Sequence, residues 1–308
     1  MANNQFTRAG SLKSVRREID LKIVDVQKIE FPSQMFNVHV QLFEDKFIAA
    51  GRSDDFEIRL FFLDQNLRLI PDSFVNPMFQ ATDPKVVKIG SDWRLVYSTY
   101  AGYLGQRNLD GLWHERMRTA KIHIQDGKIT VDPKTDEHLT IVGCPGYRRK
   151  REKAWSPFEF DGEMYYVHRR HPHVVLFYDE KTGNAKYNPE WVHPWDASDW
   201  DCEIRGDAAP IRLGDAYLTF FHIRTPRSYR IGYYLFEARP PFGIIQIHKG
   251  TFIDAEQFLN NRSAGGLGQF LKTHEKCVFP TGGYLTESGV SLFVGAQDWA
   301  TFKIDMTY

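Results

Sequence analysis

Cysteine is scarce in this chain: Cys144, Cys202 and Cys277 are the only three among 308 residues, far apart and odd in number. No CxxC pair and no Cys/His spacing of a zinc site accompanies them, which excludes a disulfide framework or a zinc ribbon as the organising feature. Three reduced, buried thiols are expected. Long apolar runs are also missing, since no stretch approaches the roughly 18 consecutive residues that a membrane-spanning helix needs. The opening residues Met1 to Arg8 carry no apolar signal core, so a cytoplasmic address is expected. Neither sign of charge is in excess. The 39 Lys and Arg balance the 39 Asp and Glu, leaving no global field to draw in nucleic acid or an acidic membrane. No linker rich in Pro, Gly or Ser divides the chain.

Aromatic residues, in contrast, make up 14% of the chain, as suits strand-rich packing and, as a second use, sugar-stacking platforms. The stretch from Glu152 to Arg170 displays the local grammar. A charged and aromatic cluster (Glu152, Lys153, Trp155) meets Pro157, a polar turn follows at Asp161-Gly162, and an alternating strand runs from Met164 to His168. This order of polar residues beside a proline, a strand, a Gly or Asp turn and a second aromatic-rich strand recurs along the chain. A first unit starts at Phe36 and continues through Ile58 to Ile70. A second opens at Ala81-Thr82-Asp83-Pro84-Lys85, with strands over Val86 to Ile89, Trp93 to Tyr100 and Thr119 to Ile124 and a long polar loop up to Arg118. The third is the stretch just described, extended to Gly183; the fourth runs from Glu203 to Glu237, and the fifth from Cys277 to Met306, after a loop over residues 254 to 275.

Units of about 40 residues with three or four short strands predict an all-β, five-bladed β-propeller, a single domain over residues 31–308, with strand beginnings converging on one central site. Residues 1–30 are basic through Lys13, Arg16, Arg17 and Lys22. They are expected as an N-terminal arm, as a short helix, or as a strand that closes the ring, and the arm is a candidate contact for a homo-oligomer.

A set of short motifs then carries a family resemblance. They are Gly51-Arg52-Ser53-Asp54-Asp55, Thr82-Asp83-Pro84-Lys85-Val86, Glu152-Lys153-Ala154-Trp155-Ser156-Pro157-Phe158, Ile204-Arg205-Gly206-Asp207-Ala208-Ala209-Pro210, Phe221-His222, Tyr229-Arg230-Ile231-Gly232 and Val278-Phe279-Pro280-Thr281-Gly282. In this order the chain resembles glycoside hydrolase family 130 from residue 33 to residue 306. The resemblance implies a five-bladed propeller and inverting chemistry at β-mannosidic linkages, mostly phosphorolysis, with a minority of hydrolases. The family usually reads Glu-Asp-Pro-Arg where this chain has Thr82-Asp83-Pro84-Lys85, so the chain looks like a divergent branch.

The resemblance assigns expected roles residue by residue. Asp83 matches the general acid, which delivers its proton through a substrate hydroxyl. Arg52, Asp54 and Asp55 match an arginine and acidic sugar-binding cluster, Arg205 lies in the fourth-blade motif, and Asp298 resembles a last-blade acid at the site. Lys153, His222, Tyr229 and Arg230 match positions near which the phosphorylases bind phosphate. Trp155 is a candidate stacking platform, or equally a buried blade tryptophan.

The residue chemistry runs parallel to this. Inverting glycosyl transfer needs an acid on the leaving oxygen and an acceptor on the opposite face of the ring. Pro84 is expected to hold Asp83 in extended backbone pointed at the axis, although Asp-Pro is also an ordinary turn initiator. Phosphate arrives already anionic and needs cationic clamping rather than a base. No cofactor or metal is expected, inorganic phosphate being a co-substrate of a phosphorylase; His171-Pro172-His173 is not spaced as a zinc motif. The run Arg148 to Arg151 is a solvated face or a cradle for the diphosphate of a nucleotide sugar. Three classes stay open: an inverting phosphorylase or related hydrolase acting on a glycoside or oligosaccharide, a nucleotide-sugar-dependent glycosyltransferase, and a non-catalytic glycan-binding propeller.

Overall fold

The apolar runs of this chain are continuous rather than alternating, as in Phe47-Ile48-Ala49-Ala50 and Leu60-Phe61-Phe62-Leu63, and all eight of these residues are buried. Successive strand residues point to opposite sheet faces, so such runs demand strands covered on both sides. The computed structural model meets that demand by standing five sheets side by side around an axis as a five-bladed β-propeller. It describes residues 19–308 other than 32–34, 54, 72, 74, 79–80, 102–113, 148–151, 199, 201–202, 207, 226–227, 256–257, 259–276 and 297–299. Asp54, Asp298, Cys202 and the basic run 148–151 thus lie outside the described residues.

The first strand, β1 (Lys22–Ile29), belongs to the last blade. Blade one contains β2 (Phe36–Phe43), β3 (Lys46–Arg52), β4 (Ile58–Leu63) and β5 (Val75–Met78). Blade two contains β6 (Ala81–Ile89), β7 (Asp92–Ala101) and β8 (His114–Gln125), with the short β9 (Lys128–Val131) and β10 (Glu137–His138) on its outer side. In blade three, β11 (Thr140–Val142) runs parallel to the outermost long strand of the meander β12 (Ser156–Phe160), β13 (Glu163–Arg170), β14 (His173–Asp179) and β15 (Asn184–His193). Blade four splits its inner strand into β16 (Ile204–Gly206) and β17 (Ile211–Leu213), both paired with β18 (Ala216–Arg224), and continues with β19 (Tyr229–Glu237), β20 (Ile244–Ile247) and β21 (Ile253–Asp254). Blade five is β22 (Val278–Leu285), β23 (Gly289–Ala296) and β24 (Ala300–Thr307), completed by β1.

The core divides in the same way, with each hydrophobic cluster lying between two neighbouring blades. Ile48, Ala50, Leu60 and Phe62 face Val86 and Leu95 of blade two, whereas the intervening Ala49, Phe61 and Leu63 face Phe293 of blade five. Blades three and four meet through rings, with Phe158, Tyr165, Tyr217, Phe236 and Phe242 in mutual contact.

Of the three forms expected for the N-terminal segment, an arm, a short helix or a closing strand, the last is found in its described part. β1 pairs antiparallel with β24 from Lys22 opposite Thr307 to Ile29 opposite Thr301, so the propeller begins before residue 31. Ahead of it, residues 19–21 cross blade four: Ile19 N donates to Gln246 Oε1 (2.8 Å), Gln246 Nε2 donates to Ile19 O (2.9 Å), and the Tyr233 hydroxyl accepts from Leu21 N (3.3 Å) and donates to Ile19 O (3.3 Å).

Two strands extend or precede the expected ones. β8 begins at His114, because the charged residues that read as loop alternate with buried Met117 and Thr119. β12 is the innermost strand of blade three despite Pro157, ahead of the expected start at Met164.

Tyr233→Phe removes the hydroxyl of the strap while leaving the ring packing intact. A loss of about 1–2 kcal/mol is expected, seen as a melting midpoint lowered by roughly 2–6 °C in calorimetry.

Candidate active site

An innermost strand of a blade is a sheet edge, so its backbone groups on the axis side have no ladder to join, and proline is tolerated there. Pro84, Pro157 and Pro280 all stand in innermost strands, β6, β12 and β22. The beginnings of these strands gather around one cavity of about 1280 Å³. Blade one contributes Asn37, blade two Asp83, blade three Lys153 and Ala154, blade four Arg205 and Gly206, and blade five Phe279. Five elements distant in sequence thus present side chains to a common space.

The backbone is unusual at three of these starts. Asn37 (φ 51°), Asp83 (φ 52°) and Ala154 (φ 59°) are all left-handed, and register shifts interrupt β2 between Phe36 and His39 and β6 between Thr82 and Lys85. Asp83 therefore does not take the extended backbone expected before Pro84. The bulge turns it into the left-handed region, which Asp and Asn tolerate better than most residues. Asn37 and Asp83 occupy matching places in adjacent blades, and Asn37 Nδ2 donates to Asp83 Oδ1 at 2.6 Å.

Charged groups support this rim from below. Lys85, 2% exposed, donates from Nζ to the Asp83 carbonyl at 3.4 Å. The fully buried His39 accepts from Val86 N on Nδ1 at 3.3 Å. Burial, and then the Lys85 charge, push its imidazole down to about 3, so it is neutral and carries its proton on Nε2. Gly282 is required beside it, since an added Cβ would come within 2.7 Å of the ring.

The blade-three wall is equally built. Glu152 Oε2 accepts from Trp155 Nε1 at 2.7 Å and lies 3.0 Å from His168 Nε2. Trp155 is fully buried, which corrects its candidacy as a stacking platform: its ring fills the blade and its N–H is spent on Glu152. Arg170, 2% exposed, donates to the carbonyls of Ala154 (3.3 Å) and Val167 (3.0 Å) and to the Ser156 hydroxyl. Its guanidinium lies against Gly206, where an added Cβ would be 1.8 Å from Cζ, so any larger residue at 206 would displace it. Glu115, 1% exposed, lies 3.8 Å from Lys153 Nζ.

On the blade-four side the His222 and Tyr229 rings stack in parallel, 5.3 Å apart at 7°, and both line the cavity. Arg205 is gripped through Nε (3.0 Å) and Nη2 (2.7 Å) by Glu203. Asp83, Lys153, Arg205, His222 and Tyr229 are thus brought together.

Other sequence candidates are placed elsewhere. Arg230 is separated from Tyr229 because consecutive strand residues face opposite ways; it lies 3.5 Å from Asp254 instead. Arg52 sits between the rings of Phe36 and Phe56, 4.9 Å from each, and Asp55 is exposed in the turn beyond it. Neither is among the described residues lining the cavity. Cys144 and Cys277 are half-buried, not buried, and Cys277 lines the cavity.

Sequence reasoning missed Asn37, Glu115, Arg169, Arg170 and Trp195, all cavity residues apart from their scaffolding roles. Aligning the blade starts would have found Asn37, which stands where blade two has Asp83. Glu115 and Trp195 carry no comparable signal.

No protein-family model and no curated protein matches the chain. Solved structures do. A putative glycoside hydrolase from Bacteroides ovatus aligns with TM-score 0.59 at 12% identity, over 89% of this chain and 86% of that one. A β-1,2-mannobiose phosphorylase from Listeria innocua, in complex with β-1,2-mannobiose, aligns with TM-score 0.57 at 12% identity, over 92% and 90%. A GDP-Man-dependent mannosyltransferase from Leishmania mexicana aligns with TM-score 0.58 at 13% identity, over 93% and 91%. At these identities the likeness is one of fold, and the class it defines with the present chain is the five-bladed β-propeller.

Two buried histidines make stability depend on pH. His39 and His173 both have imidazoles lowered from 6.5 to about 3, chiefly by burial, and His173 lies 2.8 Å from the Tyr234 hydroxyl. Between about pH 6.5 and pH 3 the unfolded chain binds protons that the folded chain refuses, so stability falls as pH falls, by up to ~1.4 kcal/mol per pH unit for each histidine. Thermal melts should drop in midpoint through this window. His173→Gln should have the shallower slope; a slope equal to the parent's would mean that folded His173 takes up its proton.

Proposed function

We propose that this propeller is a carbohydrate-active enzyme that transfers a glycosyl group with inversion, as a glycoside phosphorylase of β-mannoside-type linkages with Asp83 as general acid. The observation that carries this reading is that Asp83 of blade two shares one axial cavity with Lys153, Arg205, His222 and Tyr229 of blades three and four. An acid and an anion clamp are the two things that phosphorolysis requires.

Asp83 accepts the Asn37 N–H on Oδ1, so the proton it delivers resides on Oδ2. The β-glycosidic bond from C1 to the leaving oxygen breaks, that oxygen takes the Asp83 proton through a substrate hydroxyl, and a phosphate oxygen forms the new bond to C1 from the opposite face. The products are an α-glycosyl phosphate and the released alcohol or sugar. Phosphate is held by Lys153, His222 and Tyr229. Arg224, which is Tyr229's β18 partner and lines the cavity, takes the place expected of Arg230.

Two other readings use the same carboxyl group, as the acid in hydrolysis and as the base that takes the acceptor's hydroxyl proton in transfer. Hydrolysis is favoured by Glu115, a carboxylate lining the cavity that phosphorolysis does not need but an attacking water does. Transfer from a nucleotide sugar is favoured by the number of cations, since Lys153, Arg169, Arg205 and Arg224 all line the cavity and a diphosphate calls for more of them than a phosphate.

Incubating the protein with a β-linked mannobiose, with and without phosphate, and with mannose 1-phosphate or GDP-mannose plus mannose separates these. Mannose 1-phosphate made only when phosphate is present supports the proposal, phosphate-independent release of mannose supports the hydrolase, and release of GDP alone supports the transferase. Asp83→Asn should lower kcat by about 10²–10⁴-fold without moving the melting midpoint by more than a few degrees; full activity would remove Asp83 from the chemistry. Asn37→Gly, which keeps the left-handed backbone unstrained, should cost about tenfold in kcat by releasing the Asp83 carboxyl, and unchanged kcat would show the amide to be idle.

A further inference from the structure

Beside the large cavity, β2, β6 and β22 share a second and much smaller space. It has a volume of about 10 Å³ and is lined by Asn37, Asp83, Pro84, Lys85, Phe279 and Thr281. Asn37, Asp83 and Phe279 line the large cavity too, so the two adjoin where Asp83 stands. A buried water needs roughly 10–15 Å³ and two to four polar partners. The small chamber has the volume for about one such molecule and none for a sugar or a phosphate.

The polar groups around this chamber are incompletely matched by protein. Asn37 Nδ2 donates to Asp83 Oδ1 at 2.6 Å, but the other end of the amide, Oδ1, is buried and finds no hydrogen-bond partner among the described residues. A buried acceptor left unmet is costly. The fully buried His39, next but one along β2, leaves its Nε2 unpartnered as well, and its ring lies against Gly282, the neighbour of Thr281. Thr281 has spent its only proton on Val38 O at 2.6 Å, with Phe293 O farther off at 3.2 Å, and what Oγ1 retains is lone pairs that accept. Lys85 brings an ammonium with three N–H groups, one of which goes to the Asp83 carbonyl.

We propose that one ordered water occupies this chamber, donating to Asn37 Oδ1 and Thr281 Oγ1 and accepting from Lys85 Nζ, and that through it Thr281 is a positioning residue for Asp83. Three partners is about the usual number for a buried water. The consequence lies in the orientation of the Asn37 amide, which can turn either end to a carboxyl group. With Oδ1 held by the water, the N–H end stays on Asp83, where it stabilises the carboxylate that remains once the proton has left Oδ2. Turned round, the amide would set its own oxygen against that carboxylate and oppose the transfer. Blade five, which gives Asp83 no direct bond among the described contacts, thereby acts on it through Thr281, the water and Asn37 in turn.

The site stands apart from the reading of Asp83 as an acid, and only its effect on turnover rests on that reading, so two measurements separate them. A crystal structure of the unaltered protein should show one ordered water within about 2.6–3.2 Å of Asn37 Oδ1 and Thr281 Oγ1. Thr281→Ser should keep that water, and Thr281→Val, close in shape but unable to accept a hydrogen bond, should lose it. A dry chamber, or one filled by a side chain, would overturn the site, and the unaltered protein decides this even where Thr281→Val fails to fold. In turnover of a β-linked mannobiose, Thr281→Val should lower kcat about threefold to tenfold with KM within a factor of two, as loss of a bond felt mainly in the transition state predicts, and Thr281→Ser should restore it. An unchanged kcat in Thr281→Val, or an equal loss in Thr281→Ser, would overturn the positioning role. A protein that holds the water yet turns over no sugar donor would keep the site and lose the enzymatic reading together with that role.

Discussion

Burial of both faces of every sheet is the constraint on which the rest depends. A half-buried strand alternates apolar and polar residues, but Phe47 to Ala50 and Leu60 to Leu63 are apolar without a break, and their alternate members enter two different cores. A single sheet with two sticky faces cannot exist in water, and a row of such sheets still leaves two faces bare at its ends. Closing the row into a ring removes both. The burial of Phe293 of blade five against Ala49, Phe61 and Leu63 of blade one is what closure gains.

Closure creates a second kind of edge. Each innermost strand must end its sheet at the axis, and five such edges meet around one cavity. Backbone groups there are free to be distorted, which is why Asn37 and Asp83 stand left-handed at register shifts and Ala154 is left-handed just ahead of β12. The axial cavity is thus a by-product of the same packing that forms the core. The buried Lys85, His39, Glu152 and Arg170 behind it hold the rim in one arrangement, each with hydrogen bonds that fix it. Groups so held have little freedom left to lose when a ligand arrives.

The blade pattern was legible because it follows from period-two burial and from turn residues, both local properties. The gathering of Asp83, Lys153, Arg205, His222 and Tyr229 was legible through the order of short motifs. What failed was whatever depended on orientation. Trp155 and Arg230 lie in the expected strands or beside them, yet one faces the blade interior and the other faces Asp254, and a residue's face cannot be read when neighbouring positions are all apolar or all polar. The left-handed Asp83 was hidden by Pro84, whose local preference is overridden by the bulge and by the bond from Asn37. The closing strand β1 was ambiguous because its residues are mostly exposed and its partner, β24, is at the other end of the chain. Trp195 gave no signal, since its place in the cavity wall arises from three contacts made across two blades.

The charge pattern of the cavity bears on what it takes. Among the described residues, Lys153, Arg169, Arg170, Arg205 and Arg224 share it with Asp83, Glu115, Asp196 and Glu203, so both signs are present in nearly equal number, as in the whole chain. A polyanion such as a nucleic acid would meet four carboxylates along with the cations, and its counterion-release gain would be offset by repulsion. An apolar ligand would have to desolvate both sets. A many-hydroxyl molecule with a single anionic group meets neither penalty in full. Its hydroxyls would donate to the carboxylates and accept from the guanidinium forks, and its single charge would be met by the cations that line the cavity. The mixed signs that excluded polyanions at the level of composition therefore favour, at the level of the site, the sugar and phosphate chemistry proposed for it.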